Sequence, residues 1–594
     1  MAIELDRRRL LGLGVAGGAA ALGVPLVAGS ASPARAAARR SDPVSMAMHI
    51  HASFSEGSGS MDAQLHQADR LGVDVLWWTE HDFRVKARGY RDAVRFEGRH
   101  EPENGQNWTW KDATAGPVRD DDGSFVNDPH SPDEPGSALR LAVTGPSDDW
   151  GSLIWTGVAE NHTYTTSVVD TTLELDVLAE RLGKHAELVV ELLTSFHPAT
   201  SGRPAGQYTL QYRLGDGGGP HLDENGLLGV VPLVATGSWQ RLQLRIADDM
   251  AALWPDLVRG DAALQRLSIG VRARHGARAR AVVDRLRFLR DGRGRALALQ
   301  SAMIQEYAGR YPKVRQRQAT ELSLVRHLNA FGMDSVLPDY PQRGAQKDPS
   351  VKAARDMVRW AHRHGGVVSF NHPLDGVSGR AELARVLVTT DNLGADVLEV
   401  GCGQKLSDIT WAYDVAARNA VFATATGVSD DHSGQPWETR SAPWVTSVWA
   451  ASLQESDLLS AVRRGRAWFW DLGGWRGTLE LLVDGDPAMG GVVLTRDGRT
   501  PVRVVATDLP RGGTLEIVVG NVDRAGTADL RPAVNVRRVP GASRTVDVAP
   551  DHYMRAVVRD RRDAVVGFSN PIWVLRGAPP AGIPAGRLLR ADAT

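Results

Sequence analysis

The chain has 594 residues, which is too long for a single hydrophobic core, so two to four domains are expected. Hydrophobic residues make up 42% and charged residues 23% of the sequence, a composition that excludes a disordered chain. The formal net charge of -1 gives no electrostatic footprint for nucleic acid, so no nucleic-acid partner is expected. Cys402 is the only cysteine, which excludes an intramolecular disulfide.

The first 38 residues have the components of an export signal. Arg7 and Arg8 precede an apolar run rich in Gly and Ala, and small residues near Ala36 and Ala38 suit cleavage. The paired arginines resemble a twin-arginine signal, which implies the twin-arginine export machinery as a partner and an extracytoplasmic location, secreted or in the cell envelope. A membrane anchor is the alternative. The Gly and Ala content favours a cleaved leader, with no stable membrane span after cleavage.

Strand-like and helix-like segments alternate in two separate regions of the chain. Residues 46–81 predict a strand, a loop, an amphipathic helix that ends at Gly72, and an apolar strand. Between about residues 300 and 430, helices again alternate with apolar strands that end in polar clusters. This alternation predicts an α/β domain with a parallel sheet.

The residues between these two regions have a different pattern. Residues 86–140 are rich in loop-forming residues, and from about 141 to 290 amphipathic strands alternate with turns, which predicts an inserted antiparallel β-sandwich. The segment resembles the jelly-roll modules of secreted carbohydrate-active proteins, so a carbohydrate partner and a purely structural role both stay open. After Trp470 strands return and predict a C-terminal β-sandwich, followed from Gly577 by a loose end.

Residue types that bind metals follow several predicted strands of the α/β region. Four strand ends carry His49 and His51, then His81, then His372, then Asp430 and His432, and a fifth cluster adds Glu321 and His327. Side chains collected from the C-terminal ends of parallel strands are what an α/β-barrel active site requires. Five such clusters in one domain are hard to explain by chance, so we interpret them as one site.

Four of these segments also carry a resemblance to a known family. HIHASFSEG, TEHD, FNHP and GVSDDHSG, in this order, resemble the four motifs of the PHP (polymerase and histidinol phosphatase) superfamily. The later segments DVLEVGCG, LLSAVRRGRAWF and GFSNPIWV are similar to its CehA/McbA-like branch of metallohydrolases. The resemblance covers residues 45–82 and 300–575 and implies a PHP-type distorted (β/α)7 barrel.

The predicted fold class is therefore α/β, with a PHP-type barrel, an inserted jelly-roll-like sandwich and a C-terminal sandwich. The predicted segments are a twin-arginine signal peptide (1–38), a first barrel segment (43–85), an inserted loop plus β-sandwich (86–295), a second barrel segment (296–472), a C-terminal β-sandwich (473–576) and a tail (577–594). Because the insertion follows Asp82 and ends before Glu321, we expect it to lean over the mouth of the site and limit substrate access.

The resemblance implies a set of metal ligands and catalytic residues. The implied ligands are His49, His51, Glu56, His81, Glu321, His327, His372, Asp430 and His432. The implied catalytic residues are His49, His51, Glu321, Asp430 and His432. Glu56 stands where the family usually has Asp or His, and Glu80 replaces the usual Asp. Asp431 is expected to be a bystander or a substrate contact, and Glu399 either touches substrate or has a packing or hydrogen-bonding role.

Mixed imidazole and carboxylate ligands suit Zn, Mn or Fe rather than Ca or Mg alone, and the resemblance implies two or three divalent ions of this kind. A carboxylate that bridges two ions lets them share a nucleophilic hydroxide, and the ions neutralise charge on a phosphoryl or acyl oxygen. The sequence predicts an exported metal-dependent hydrolase, most simply a phosphoesterase acting through this bridging hydroxide on a small-molecule or envelope-derived phosphoester. Two alternatives stay open: the same site cleaves a carboxylic ester, amide or carbamate, or the protein binds glycans and its barrel is inactive.

Overall fold

The computed structural model describes residues 42–55, 57–82, 91–94, 108–127, 137–159, 167–290, 296–333, 336–338, 347–496 and 498–591. The predicted signal peptide and Glu56 lie outside these ranges, so the predictions for them stay predictions. Across the described ranges, every helix is too short or too polar to cross a membrane.

The described chain begins with a strand–helix–strand unit. Strand β1 covers Asp42–Ile50, helix α1 covers Met61–Leu71 and strand β2 covers Val75–Trp78, and the two strands pair in parallel. The helix begins where the Ser60 hydroxyl accepts a hydrogen bond from the Ala63 N–H at 3.0 Å. It ends at Gly72, whose φ of 67° is left-handed. These elements confirm the pattern predicted for residues 46–81.

The next region of the chain is almost entirely β-structure. Its elements are β3 (Arg91–Val94), β4 (Trp108–Ala115), β5 (Asp120–Asn127), β6 (Ser137–Thr144), β7 (Gly151–Ala159), β8 (Thr171–Arg181), β9 (Ala186–His197), β10 (Gly206–Gly215), β11 (His221–Leu222), β12 (Leu228–Val234), β13 (Trp239–Leu244), α2 (Ile246–Leu253), β14 (Leu264–Ala273) and β15 (Arg278–Arg290). One sheet has the order β11-β12-β10-β9-β14-β7-β4, and the other has the order β13-β8-β15-β6-β5 with β3 beside β15.

These two sheets enclose a common core. Leu175 of β8 and Leu192 of β9, which belong to different sheets, are both fully buried in the same hydrophobic cluster. The strand pairs are antiparallel except for β10 and β12. The segment is thus a β-sandwich, as predicted from its alternating strands, while its boundaries at residues 86 and 295 stay a prediction.

Helices and strands alternate again after the sandwich. The elements are α3 (Ala296–Arg310), β16 (Arg315–Leu322), β17 (Leu328–Phe331), α4 (Val351–Arg363), β18 (Val367–Phe370), α5 (Arg380–Thr390), β19 (Val397–Gly401), α6 (Leu406–Arg418), β20 (Thr424–Gly427), β21 (Trp444–Ala450), α7 (Glu455–Arg463) and β22 (Ala467–Asp471). The strands join β1 and β2 in the order β20-β19-β18-β17-β16-β2-β1-β21-β22. The two segments of the α/β region therefore share one sheet.

This sheet is mixed rather than wholly parallel. β1, β2 and β16 are parallel to one another, as are β18, β19 and β20, whereas β17 and β21 run antiparallel to their neighbours. The reversal at β17 has a simple cause, because the connection 323–327 is too short for a parallel crossover.

The two ends of this strand order approach each other through side chains. The Thr446 hydroxyl of β21 accepts the Gly427 N–H of β20 at 3.0 Å and donates to the Gly427 carbonyl at 2.8 Å. The Asn570 side chain donates to the carbonyls of Ala425 and Ala467, both at 2.9 Å. Among the described strands no ladder joins β20 to β21 or β22, so the predicted closed (β/α)7 barrel is not confirmed.

The C-terminal region is also β-structure, and one of its two sheets continues the sheet of the α/β region. Its strands are β23 (Leu479–Val483), β24 (Asp486–Pro487), β25 (Val492–Leu494), β26 (Thr500–Ala506), β27 (Thr514–Asn521), β28 (Val534–Val539), β29 (Ser543–Val548), β30 (His552–Arg559), β31 (Val565–Ser569), β32 (Ile572–Leu575) and β33 (Leu588–Ala591). β24, β23, β26 and β29 form a separate sheet. The others continue the sheet of the α/β region, because β31 pairs with β22 and Phe568 stacks on Phe469.

The segment after Gly577, expected to be a loose end, is anchored in the structure. Arg587 is buried and donates to the carbonyls of Arg463 and Gly490, both at 3.0 Å, and to the Thr424 hydroxyl at 2.7 Å. β33 then pairs in parallel with β25. The local composition predicted a loose end because it carries no signal for these contacts, which join residues more than 90 positions apart.

Candidate metal centre

All the predicted ligands except Glu56, which lies outside the described residues, meet at one edge of the α/β sheet. His49 lies near the end of β1 and His51 follows that strand, His81 follows β2, Glu321 lies near the end of β16, and His372 follows β18. His327 precedes β17, and Asp430 and His432 follow β20. The carboxyl ends of parallel strands lie on the same edge of a sheet, which explains why residues so far apart in sequence converge.

Glu321 is the centre of this cluster. Its Oε1 lies 2.9 Å from His327 Nδ1, 3.4 Å from His372 Nε2 and 3.5 Å from His49 Nε2. Its Oε2 lies 2.7 Å from His81 Nδ1 and 3.5 Å from His51 Nε2. Each carboxylate oxygen therefore faces its own group of imidazole nitrogens.

Asp430 is the second carboxylate of the cluster. Its Oδ1 lies 3.1 Å from His49 Nε2 and 3.3 Å from His51 Nε2, and these two nitrogens are 3.2 Å apart. His432 lies next to it, with its ring stacked on that of His51 at a centroid distance of 4.3 Å. Asp430 has a φ of 52° and His372 a φ of 24°, values that non-glycine residues rarely adopt. Such strain gathers at sites where side-chain placement matters for function.

The two histidines of the first motif differ in their electrostatics. Burial lowers the pKa of His51 to about 3, and the neighbouring His432 and His81 add to this effect. Burial also opposes the charged form of His49, but Asp430, Glu399 and Glu321 together outweigh it and hold its pKa well above the usual value. His51 is therefore neutral and presents a nitrogen lone pair.

The donor set suits a divalent metal. His49 uses its Nδ1 toward Glu399 at 2.8 Å, so the Nε2 lone pair of its neutral form points at Glu321, Asp430 and His51. Among the residues that the structure describes, three groups have ligand atoms close enough to hold one ion: His49, His51 and Glu321; His81, Glu321 and His327; and His51, His81 and His432. Within the described ranges no Lys or Arg pairs with Glu321 or Asp430 to neutralise them. Imidazole and carboxylate ligands in this mixture are typical of Zn, Mn or Fe.

Glu399 contacts two residues of the cluster, and these contacts decide between the two roles that the sequence left open for it. Its Oε1 contacts His49 Nδ1 at 2.8 Å, and its Oε2 accepts the His372 backbone N–H at 2.7 Å. The carboxylate is almost fully buried, so both contacts are protected from water. Glu399 therefore has the hydrogen-bonding role, and it sets the ring orientation of His49.

Two other acidic residues hold backbone in place. Glu80 accepts the Ala52 N–H at 3.1 Å and the Ser55 hydroxyl, and Ser55 lies 3.3 Å from His51 Nδ1. Asp431, expected to be a bystander or a substrate contact, is buried and accepts the Gln64 amide at 3.0 Å and the Gly434 N–H at 2.7 Å. Its carboxylate organises the turn that carries Asp430 and His432, which agrees with a bystander to the cluster, and a substrate contact stays a prediction.

Asp375 is a residue that the sequence reasoning missed. Its Oδ2 lies 2.7 Å from His372 Nδ1 while its Oδ1 accepts the Gln404 amide at 2.8 Å. Burial opposes the charge on His372, but Asp375 and Glu321 outweigh it and raise the His372 pKa to about 10. The only sequence signal was its position three residues after His372 in FNHPLD.

The cluster opens into a cleft of about 450 Å³. Its described lining comprises His81, Glu321, His327, His372, Asp375, Cys402, Gly403, Gln404, Ser429, Asp430, His432 and Ser441. All of these residues belong to the α/β region. Among the described residues the inserted sandwich contributes none to this lining, and because part of the insertion lies outside the described ranges, the expectation that it leans over the mouth stays a prediction. Its described contacts include hydrogen bonds to residues 57–60, which follow His51 in the chain.

Comparison with known proteins adds little to this geometry. No family model and no curated protein matches the chain. Among solved structures, a two-domain protein from Bacteroides vulgatus containing a predicted PHP-like metal-dependent phosphoesterase is 14% identical, with coverage of 45% of this chain and 70% of that chain and a TM-score of 0.22. A family 11 carbohydrate-binding module from Clostridium thermocellum is 11% identical, with coverage of 34% and 96% and a TM-score of 0.18. Similarity at this level defines neither a fold nor an activity.

Proposed function

We propose that the protein is a metal-dependent hydrolase whose reaction takes place at the Glu321 cluster. The observation that carries this proposal is the position of the Glu321 carboxylate, whose two oxygens face separate groups of imidazoles. A carboxylate in this position is suited to bridge two ions. The proposed ligands are His49, His51, His81, Glu321, His327, His372, Asp430 and His432, with Glu56 as a further candidate.

Two or three ions of Zn, Mn or Fe bound there would acidify a water molecule and neutralise charge on the oxygen under attack. The protein's own residues arrange this chemistry. Glu399 contacts His49 Nδ1 and so favours the tautomer in which Nδ1 carries the proton and the Nε2 lone pair faces the cluster. His49, His51 and Glu321 are almost fully buried, which limits competing solvent, whereas about a third of the Asp430 and His432 side chains is exposed to the cleft. Substrate therefore approaches from the side of Asp430 and His432.

A phosphoester is the substrate class that we propose. Lys347 Nζ lies 2.9 Å from His327 Nε2 at the edge of the cluster, where its charge suits an anionic phosphoryl oxygen. The carboxylic ester, amide or carbamate reaction would use the same ligands without requiring such a charge. The substrate is proposed to be a small molecule or derived from the cell envelope, in keeping with the twin-arginine signal predicted for residues 1–38.

Carbohydrate binding by the inserted sandwich is a second candidate function. Alternate residues of β9, β10 and β14 face away from the sandwich core and border a groove of about 150 Å³. Glu191, Gln211 and Arg272 lie on this face, and their polar groups could bind sugar hydroxyls. The guanidinium of Arg272 lies 4.2 Å from the centre of the Trp150 ring, so hydrogen bonding rather than stacking would carry the interaction. Glycan binding that is lost in Glu191→Ala/Gln211→Ala but kept in His49→Ala would support this function.

The primary test combines elemental analysis with a substrate screen. Protein purified without added metal, and again after Mn or Zn is supplied, should hold more than one transition-metal ion per chain. It should hydrolyse phosphomonoesters or phosphodiesters faster than aryl esters or carbamates. Preference for the latter would replace the phosphoester assignment, and less than one ion per chain after metal supply would overturn the proposal.

The matched variants are two His-x-His pairs. His49→Ala/His51→Ala should lose bound metal and reduce hydrolysis by about 10³-fold or more, because the Lewis acid supplies several kcal/mol. His362→Ala/His364→Ala changes the same residues at the same spacing at the end of α4, where His362 contacts Asp396 at 2.8 Å. This control should keep the metal content and the activity of the parent protein.

A further inference from the structure

We propose that the inserted β-sandwich is a structural component of the metal centre and that its Asp261 is a positioning residue for His51 and His432. This inference rests on the proposed function, since it assumes that these imidazoles hold a metal. It gives the insertion a role other than covering the cleft or binding a carbohydrate.

The contact is made through residues 57–60, which we call the connecting loop. On one side of the loop, the Phe196 N–H at the end of β9 donates to the Ser58 carbonyl at 2.6 Å, and the Ser60 N–H donates to the Phe196 carbonyl at 3.0 Å. On the other side, the Gly59 N–H and the Ser58 hydroxyl donate to the His432 carbonyl at 2.8 Å and 3.2 Å. The connecting loop thus links a strand of the insertion to the backbone of a proposed ligand.

Side chains of the insertion hold the start of the same loop. The Gly57 carbonyl accepts the Ser195 hydroxyl at 2.9 Å and the Gln265 amide at 3.2 Å. A side chain at Gly57 would meet the backbone of Ala52 at 2.5 Å, so the loop folds tightly onto the residue that follows His51.

Asp261 makes the densest set of these contacts. It is fully buried and accepts the Ser53 hydroxyl at 2.6 Å, the N–H groups of Met61 and Asp62 at 2.8 Å and 3.0 Å, and the Tyr307 hydroxyl at 2.5 Å. Met61 and Asp62 form the first turn of α1, whose N-terminus favours an anion. One carboxylate of the insertion therefore fixes both ends of the segment that runs from His51 to α1.

An ion pair adds to this attachment. Arg203 of the insertion is buried and pairs with Asp62, and its Nε lies 3.2 Å from Asp256. Asp62 also accepts the Tyr311 hydroxyl at 2.6 Å. Arg203 and Asp261 both act on the first turn of α1, so the insertion and the α/β region share buried, directional contacts.

The position of these contacts makes the inference specific. Ser53 is two residues from His51, and the connecting loop binds the His432 backbone, so a shift of the loop would move two of the three members of the group His51, His81 and His432. His49 lies in β1 and Glu321 in β16, and neither is in the connecting loop. Loss of Asp261 should therefore weaken the group His51, His81 and His432 most, and the group His81, Glu321 and His327, which contains neither His51 nor His432, least.

Co²⁺ titration of the full-length protein against a competing chelator tests whether loss of Asp261 weakens the binding of one class of ion selectively. Visible absorption is the readout of coordination. Asp261→Asn keeps the shape of the side chain but removes one of its two acceptor oxygens. We expect one class of bound Co²⁺ to weaken by about 10- to 100-fold, with a changed absorption spectrum, while the other class is retained. Asp249→Asn is the matched control, since Asp249 also lies in the insertion and accepts a tyrosine hydroxyl, from Tyr212 at 2.7 Å. It should bind Co²⁺ like the parent.

Asp261→Asn that binds Co²⁺ with parent affinity and spectrum would overturn the inference while leaving the proposed function in place. A parent protein that binds no Co²⁺ would overturn both. If Asp261→Asn does not fold, Gln265→Ala, which removes the bond from the Gln265 amide to the Gly57 carbonyl, takes its place. Selective weakening in that variant supports the inference, and unchanged binding contradicts it.

Discussion

Glu399 Oε1 lies 2.8 Å from His49 Nδ1, and both side chains are almost completely buried although 350 positions separate them in the chain. The same carboxylate accepts the His372 backbone N–H through its second oxygen at 2.7 Å. One residue therefore orients a proposed ligand from the first motif and the backbone of a proposed ligand from the third. A buried carboxylate on the far nitrogen of an imidazole fixes the tautomer and raises the basicity of the nitrogen that faces the metal.

Glu399→Gln should weaken metal binding without unfolding the protein. The amide has one oxygen to serve two donors, so either His49 or the His372 N–H loses its acceptor. We expect a 10- to 100-fold loss of metal affinity in a chelator-competition titration. Glu516→Gln is the control, because Glu516 is also buried but pairs with Arg559 in the C-terminal region. Equal affinities for Glu399→Gln and the parent would show that Glu399 does not act on His49.

The sequence predicted the strand ends of the site well and its supporting residues poorly. β1, β2, β18, β19 and β20 are short buried strands, which appear in sequence as apolar runs followed by polar clusters. Glu399 also ends such a strand, but its partner is set by the order of strands in the sheet, and no local pattern encodes that order. The antiparallel strand β17 and the contact of Asp261 with Ser53 depend on similar long-range packing.

Gly59→Ala should disturb the centre through the connecting loop. A Cβ at this position would lie 2.4 Å from the Ser433 carbonyl carbon, and this backbone cannot rotate away as a side chain could. We expect destabilisation of about 1–3 kcal/mol by denaturant unfolding, together with at least tenfold weaker Co²⁺ binding.

The control for this variant is Gly309→Ala in α3, where a Cβ would meet nothing within 4 Å. Alanine is the better helix former, so Gly309→Ala should leave metal binding unchanged and stabilise the fold by up to about 1 kcal/mol. Parent-like Co²⁺ binding by Gly59→Ala would mean that the loop accommodates the extra carbon without moving His432.

Protons should compete with metal at His49 and His372. Burial opposes the charged form of His372, but Asp375 and Glu321 outweigh this effect and raise the His372 pKa to about 10. The His49 pKa is also raised. A raised pKa means that the metal-free protein holds these protons at pH 7 and must release them to bind metal. Affinity should therefore increase with pH between about 6 and 8, by up to tenfold per unit for each proton displaced.

Calorimetry in buffers of different ionisation enthalpy counts the released protons. Asp375→Asn removes the contact that favours the His372 imidazolium and should reduce that count. Metal affinity that stays constant across this pH range would contradict the expected competition.

Glu480 in β23 should make the fold less stable as pH rises. Burial raises its pKa to about 7, and Arg466 offsets only a fraction of this effect. Because the folded-state pKa is above the unfolded one, the folded protein binds more protons between about pH 4.5 and 7, and the free energy of unfolding falls as pH rises through this window. Above pH 7 the full free-energy cost of burying the ionised Glu480 carboxylate is present. Allowing for its partial exposure, we expect Glu480→Gln to stabilise the protein by about 1–2 kcal/mol at pH 8 and by much less at pH 5 in urea unfolding. A gain of equal size at both pH values would indicate that packing, not ionisation, is responsible.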